Sequence, residues 1–216
     1  MIFDNFDRVR IINLPHRADR RREMIAELER IGLAVDGERI AFFEACAPAD
    51  DGGFSSRGAY GCYLSHLSLL EMGGSMLILE DDCDFTPAVR DFEYDGADIY
   101  YGGYYANDPD DLQNSDIIGS HMMGYSEEAA RTAAVYLRQL LDPKFRDFVP
   151  PPPIDGALVW LRRNYPGLTT KFAVPPLALQ RPSRTDIGNL KMIDRVPWMQ
   201  SAVHLARRIK RRIVRA

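Results

Sequence analysis

The chain has 216 residues, 46% hydrophobic and 27% charged, the make-up of an ordinary globular protein with room for one sizeable domain. Three cysteines, none in CxxC spacing, exclude a disulfide framework, and no apolar run nears the ~20 residues that span a bilayer. The net charge is −4, but from Arg195 onward there are seven basic and no acidic residues, against 20 basic and 31 acidic before it, which excludes a nucleic-acid-binding body and sets a basic tail apart.

In chain order, the opening MIFDNFDRVR lacks a signal-peptide core, so the chain is expected to stay in the cytosol. Val9–Leu14 reads as a short buried strand. In the segment after it, Met24, Ile25, Leu28 and Ile31 recur at helical spacing, with Gly32 placed to end the helix. Arg39–Ala45 is a candidate strand, PADDGGFSSRG a loop and AYGCYLSHLSLLEMG a helix. Met76–Leu79 is an uninterrupted apolar run of the kind buried on both faces of a sheet, and ADIYYGGYY is a further strand broken by glycines. Ser126–Leu141 has the strongest helix pattern, with Ser126 as N-cap and Glu127 and Glu128 at the positive end of the dipole. Val149–Pro153, with four prolines, is a stiff extended connector. Strands alternating with helices predict an α/β fold, a Rossmann-type mixed, largely parallel sheet flanked by helices.

The ligands of such sheets bind beyond the carboxyl ends of the strands. MLILEDDCDF delivers Glu80, Asp81, Asp82 and Asp84 to such an end. Carboxylates gathered there repel, and at neutral pH they need a cation or lose charge by protonation. Oxygen ligands suit a hard ion, Mg²⁺ or Mn²⁺, which commonly keeps positions open for phosphate oxygens. The plainer alternative is a solvated acidic turn.

IINLPHRADRRREM, GAYGCYLSH, MLILEDD, HMMGYS, PIDGAL and QRPSRTDI occur in that order. Together they resemble glycosyltransferase family 25, the lipooligosaccharide galactosyltransferase family, over Val9 to about Ile187. Ala59 stands where the family often has Glu, and Thr185-Asp186-Ile187 where it has Ser-Asp-Ile. The resemblance implies a GT-A-like domain over residues 1–190, a nucleotide-sugar donor such as UDP-galactose, a divalent metal, inversion at the anomeric carbon and a bacterial glycan acceptor.

Under that resemblance Asp82, with Glu80 or Asp84, holds Mn²⁺ or Mg²⁺, and His121 could add a nitrogen ligand; a loop histidine is the alternative. Asn13, Arg17 and Arg20 follow the first strand and could hold the donor, arginine being suited to diphosphate; a solvated helix start is the alternative. Asp81 would contact the ribose. His66, beside Ser65 on a helix, could join the donor site or be structural, while Gly61 and Cys62 read as packing residues. An inverting transfer needs a general base near the acceptor hydroxyl, for which Asp155 is the first candidate and Asp186 the second; Asp155 could equally be a helix N-cap.

In residues 191–216, Trp198, Ala202, Leu205, Ile209 and Ile213 form an apolar stripe among arginines. This predicts a basic amphipathic helix that seats the protein on the anionic inner face of the cytoplasmic membrane, near a lipid-linked acceptor. Two other classes compete. One is a non-catalytic scaffold docked on a glycan-assembly complex, which the intact acidic motif disfavours. The other is a nucleotidyltransferase, disfavoured because IINLPHRADRR has neither the glycine nor the lysine of a phosphate loop.

Overall fold

The structure, a computed structural model, describes residues 1–145 and 150–181. Asp186 and the tail with its expected helix lie outside them.

Twelve elements follow in order: β1 (Arg8–Asn13), α1 (Ala18–Arg30), β2 (Ile40–Glu44), α2 (Arg57–Glu71), β3 (Met76–Glu80), β4 (Cys83–Phe85), β5 (Ile99–Ala106), β6 (Ile117–Tyr125), α3 (Glu127–Leu141), α4 (Ile154–Asn164), β7 (Thr170–Phe172) and β8 (Ala178–Gln180). Six strands form a mixed α/β sheet in the order β2-β1-β3-β6-β5-β7, in which β6 alone runs against the others. β4 and β8 pair antiparallel as a separate ribbon.

Side-chain alternation divides the core into two layers. Leu77 and Leu79 of β3 face one way with Val9 and Ile11, and are covered by Met24, Leu28 and Ile31 from α1 and the turn after it. Met76 and Ile78 face the other way and are covered by α2, α3 and α4, which pack on one another. β3 is therefore buried on both sides, as its continuous apolar run requires.

The helix ends follow their sequence signals. Gly32 N–H donates to the Glu29 carbonyl and Leu33 N–H to that of Leu28, the paired bonds of a Schellman stop. Ser56 caps α2 by accepting from Ala59 N–H, so that helix begins ahead of the predicted AYGCYLSH. Ser126 caps α3 by accepting from Ala129 N–H, and its hydroxyl donates to Asp98. α4 differs from its expectation. Pro153 occupies the N-cap and Asp155 sits inside the first turn, because proline's fixed φ suits a helix start and the connector leads straight into it.

β6 was not expected. IIGSHMMGY carries two glycines and no polar–apolar alternation, yet most of it is buried, wedged between β3 and β5. The glycine break in β5 turns out to be a pair of register shifts against β6, between Tyr101 and Gly103 and between Gly103 and Tyr105. A Cβ on Gly103 would lie 2.4 Å from His121 Cδ2 and 2.6 Å from its Nε2, so the missing side chain is what admits the imidazole. Gly103→Ala is expected to destabilise the fold by about 1–3 kcal/mol through overpacking. Thermal unfolding should show a drop in Tm of several degrees.

Behind this strand, Arg162 is buried and its guanidinium donates to the carbonyls of Leu112 (2.9 Å), Gln113 (2.6 Å) and Ser115. It thereby fixes the path of the loop between β5 and β6.

Candidate active site

The carboxyl ends of β1 and β3 lie side by side, with Ile12 opposite Glu80. At β1's end, Asn13 Nδ2 donates to Asp81 Oδ2 at 2.7 Å, and it also reaches the Arg17 carbonyl at 3.3 Å. Asn13 thus does more than end its strand. Arg20, from the first turn of α1, places Nη1 at 2.8 Å from Asp81 Oδ1 and 3.3 Å from Asp82 Oδ2. One guanidinium lies between two acidic neighbours and lets them stand together. Arg17, at the N-cap of α1, pairs with Asp19 at 2.9 Å.

Asp82 is the exceptional carboxylate. Its Oδ2 takes the distant Arg20 and Gln180 Nε2 at 3.4 Å. Its Oδ1 is buried and has no hydrogen-bond partner among the described residues. Burial, then the charge of Glu80, push its pKa up to about 7, against the pull of Arg20. Such an oxygen is costly unless something positive meets it. Asp84, by contrast, is tied to Arg181, whose Nε and Nη2 approach Asp84 Oδ1 at 2.8 and 2.7 Å.

Glu80 continues the alternation of β3 and points to the α2 side. Ser120 Oγ donates to its Oε1 at 3.1 Å, with His66 Nε2 at 3.6 Å and Cys62 Sγ at 4.0 Å from the same oxygen. Burial opposes its ionisation, but His66, His121 and the Ser120 hydroxyl outweigh it and hold Glu80 below the usual carboxylate range. Ser65, next to His66, points elsewhere, donating to the Gly61 carbonyl at 2.7 Å and accepting from Cys46 N–H at 2.8 Å. It is structural. Cys62, expected only to pack, has its thiol turned toward Glu80.

Because β6 runs antiparallel, its early residues arrive at the same edge as the end of β3. Gly119, at φ +87°, donates its N–H to Asp155 Oδ2 at 3.1 Å, and the next residue, Ser120, holds Glu80. The backbone of β6 thereby links the candidate base to the acidic motif. Asp155 Oδ1 accepts from Gly156 N–H at 2.9 Å. Burial raises the Asp155 pKa, and the two N–H groups only partly offset it. His121 is fully buried in β6 rather than in a loop, with Nε2 donating to the Ala178 carbonyl at 3.1 Å. Burial lowers its pKa, against the pull of Glu80, and with Nε2 engaged only Nδ1 remains to bind anything else.

The structure therefore gathers Asn13, Arg20, Asp81 and Asp82 on the α1 side of β3's end, and Glu80, His66, Cys62 and Ser120 on the α2 side. Asp155 joins through Gly119. Sequence reasoning missed Ser120, which lies outside every quoted motif, and gave no role to Gln180 and Arg181, although they open QRPSRTDI. It also passed over the spacing of Cys62 and His66, one helical turn apart and readable as a shared helix face.

No family model and no curated protein matches the chain. Among solved structures, it is similar to a glycosyltransferase involved in glycosylation of the major capsid of PBCV-1, at 12% identity and TM-score 0.49, over 80% of this chain and 93% of that one. It is similar to the apo-form glycosyltransferase GlyE of Streptococcus pneumoniae TIGR4 at 10% identity and TM-score 0.47, over 88% of this chain and 59% of that one. The CTP:phosphocholine cytidylyltransferase LicC of S. pneumoniae is similar at 10% identity and TM-score 0.38, over 80% of this chain and 92% of that one.

Proposed function

We propose that the chain is a metal-dependent, inverting glycosyltransferase of the family 25 type, moving galactose from UDP-galactose to a lipooligosaccharide or other glycan acceptor. The ordered motifs support the class. The observation that carries the reading is the unpartnered Oδ1 of Asp82, at the carboxyl end of the central strand and beside an arginine. The donor set fits a hard cation: Asp82 supplies a ready oxygen, and Glu80 or Asp84 a second carboxylate. A bound Mn²⁺ or Mg²⁺ would neutralise the donor diphosphate and make it a better leaving group.

The chain's own groups then divide the work. Arg20 holds Asp81 and Asp82 together and adds positive charge where the diphosphate would lie. Asp81, with both oxygens already engaged, acts mainly to position Arg20 and Asn13, a heavier duty than the ribose contact expected of it. Asp155 takes the proton from an acceptor hydroxyl. That oxygen attacks the anomeric carbon from the face opposite the diphosphate, the new C–O bond forms with inverted configuration, and UDP leaves with the electron pair of the broken bond. A carboxylate whose pKa is raised by burial is a stronger base than one in water.

The test is a panel of UDP- and other nucleotide-sugars, scored for Mn²⁺-dependent binding and slow hydrolysis. UDP-galactose should bind tightest and only with metal. Metal-independent binding, or none at all, removes the reading and leaves a non-catalytic scaffold.

The basic tail belongs to the same proposal. No helix of the described residues is long and apolar enough to cross a membrane, and six basic residues at ~1 kcal/mol each near an anionic surface suffice to hold the protein there. Full-length protein should co-sediment with vesicles in proportion to their anionic lipid, less so with added salt, and not at all without residues 196–216. Full-length protein left in the supernatant at low salt overturns the anchor.

A further inference from the structure

We propose that Cys62, His66 and Glu80 form a second metal site, for a borderline transition ion of the Zn²⁺ class, directly behind the acidic motif. The inference does not depend on the transfer reading. Cys62 and His66 stand four residues apart on α2 and so share one helix face. β3 brings Glu80 to that face. One ligand atom from each residue lies within 4.8 Å of the other two.

The decisive group is His66. It is fully buried, and neither ring nitrogen has a hydrogen-bond partner among the described residues. Its Nε2 stands 3.6 Å from Glu80 Oε1, too long for a hydrogen bond. A buried imidazole kept only for packing normally donates or accepts at least once. A nitrogen left bare and aimed at a carboxylate and a thiol is what a missing ligand bond leaves behind. Bonds of about 2.0–2.3 Å to a tetrahedral ion set the ligand atoms about 3.4–3.7 Å apart. The His66–Glu80 separation already fits, and the 4.0 Å from Cys62 to Glu80 needs only a small inward turn.

The ligand types choose the ion. Thiolate and imidazole favour Zn²⁺ over Mg²⁺ or Ca²⁺, and three protein ligands leave a fourth position open. Cys62 and Glu80 are only partly buried, which gives the ion a way in. Ser120 holds Glu80 Oε1 as the outer partner such sites commonly use. On binding, the Cys62 thiol releases its proton to solvent and the thiolate takes the metal. With Glu80 committed here, the hard cation of the proposed transfer site would rely on Asp82 and Asp84. The ion would also tie α2 to the end of β3.

The test uses the full chain, stripped by a chelator, kept reduced without added thiols and titrated with Co²⁺ alone. One Co²⁺ per chain should bind, with a thiolate-to-cobalt charge-transfer absorption in the near ultraviolet and the strong visible bands of a four-coordinate site. Zn²⁺ should displace it. Cys62→Ser should lose the charge-transfer absorption and weaken Co²⁺ binding by about tenfold or more, since even outer-sphere losses at metal sites cost 10- to 100-fold. Cys46→Ser, which removes the other partly exposed thiol, should keep the absorption, as should Asp82→Asn. Should Cys62→Ser fail to fold, Cys46→Ser decides alone: an absorption that survives it supports the site, and one that vanishes overturns it. Wild-type protein without the charge-transfer absorption leaves a plain buried His–Glu pair and overturns the proposal. Because no arm measures transfer, a chain that binds Co²⁺ this way but transfers no sugar keeps this inference and loses the other.

Discussion

Asp82→Asn is expected to abolish Mn²⁺-stimulated donor binding and to lower transfer by about a thousandfold or more, while the fold should stay intact. The magnitude follows from the several kcal/mol that a metal contributes to neutralising developing charge, at tenfold per 1.36 kcal/mol. The selectivity follows from the contacts. The amide oxygen can take over the bonds that Oδ2 accepts from Arg20 and Gln180. The amide nitrogen then occupies the place of the orphaned Oδ1 and presents a donor where a cation needs an acceptor. No buried bond is lost, and an unfavourably buried acid is removed, so the melting temperature should hold or rise. Calorimetry with UDP-galactose, with and without Mn²⁺, measures the binding. A variant that turns over at the wild-type rate takes Asp82 out of the site.

Asp155→Asn is expected to lower transfer by about 10²–10⁴-fold, the usual contribution of a positioned general base, and to leave donor affinity unchanged. The asparagine keeps one of the two backbone contacts, to Gly119 or Gly156, and loses the other, a cost of about 1 kcal/mol. Against that stands the sign of the pKa shift. Burial raises the Asp155 pKa, so the native state holds its proton more tightly than the unfolded chain. Stability therefore falls as pH rises from the unfolded pKa through the folded one, and the ionised carboxylate is a burden above that window. Removing it offsets the lost bond, and thermal stability at neutral pH should change little. In the wild type, transfer should decline as pH drops through the raised pKa, and the variant's residual activity should lack that limb. Transfer at the wild-type level would leave Asp155 a structural clasp on Gly119, and Asp186 would be the next base to test.

Much of the scaffold could be read from the sequence, because local physics fixed it. The apolar run of β3, the helical spacing of Met24 and Leu28 and the caps at Ser126 and Gly32 each have a short-range cause, and each lies where its pattern places it. β6 could not be read so. Its burial comes from strands on either side that are distant in sequence, and its Gly124, which looks like a loop residue, makes room for Phe6, whose ring a Cβ there would approach to 2.6 Å. The three-residue strands β4 and β8 carry no periodicity at all, and they meet across about a hundred residues. The same division runs through the candidate site. EDD marked a candidate site on its own, but which carboxylate stands free was decided by Arg20, Arg181 and Ser120, and no spacing rule reaches that far. His66 and Cys62 fell between the two cases: their helical spacing was visible, their third companion was not.

Arg162 fixes the loop before β6 through the carbonyls of Leu112, Gln113 and Ser115. Every amino acid offers a backbone carbonyl, so this grip is indifferent to which side chains the loop carries. The loop can exchange its outward residues one at a time and still follow the same path, delivering Gly119 and Ser120 to the same place. Variation is cheap in the loop and dear at the arginine, since lysine has no second nitrogen to reach the third carbonyl. Beside the proposed transfer site, such a division would separate what can drift from what cannot, and would give related chains a route to new acceptors without rebuilding the sheet.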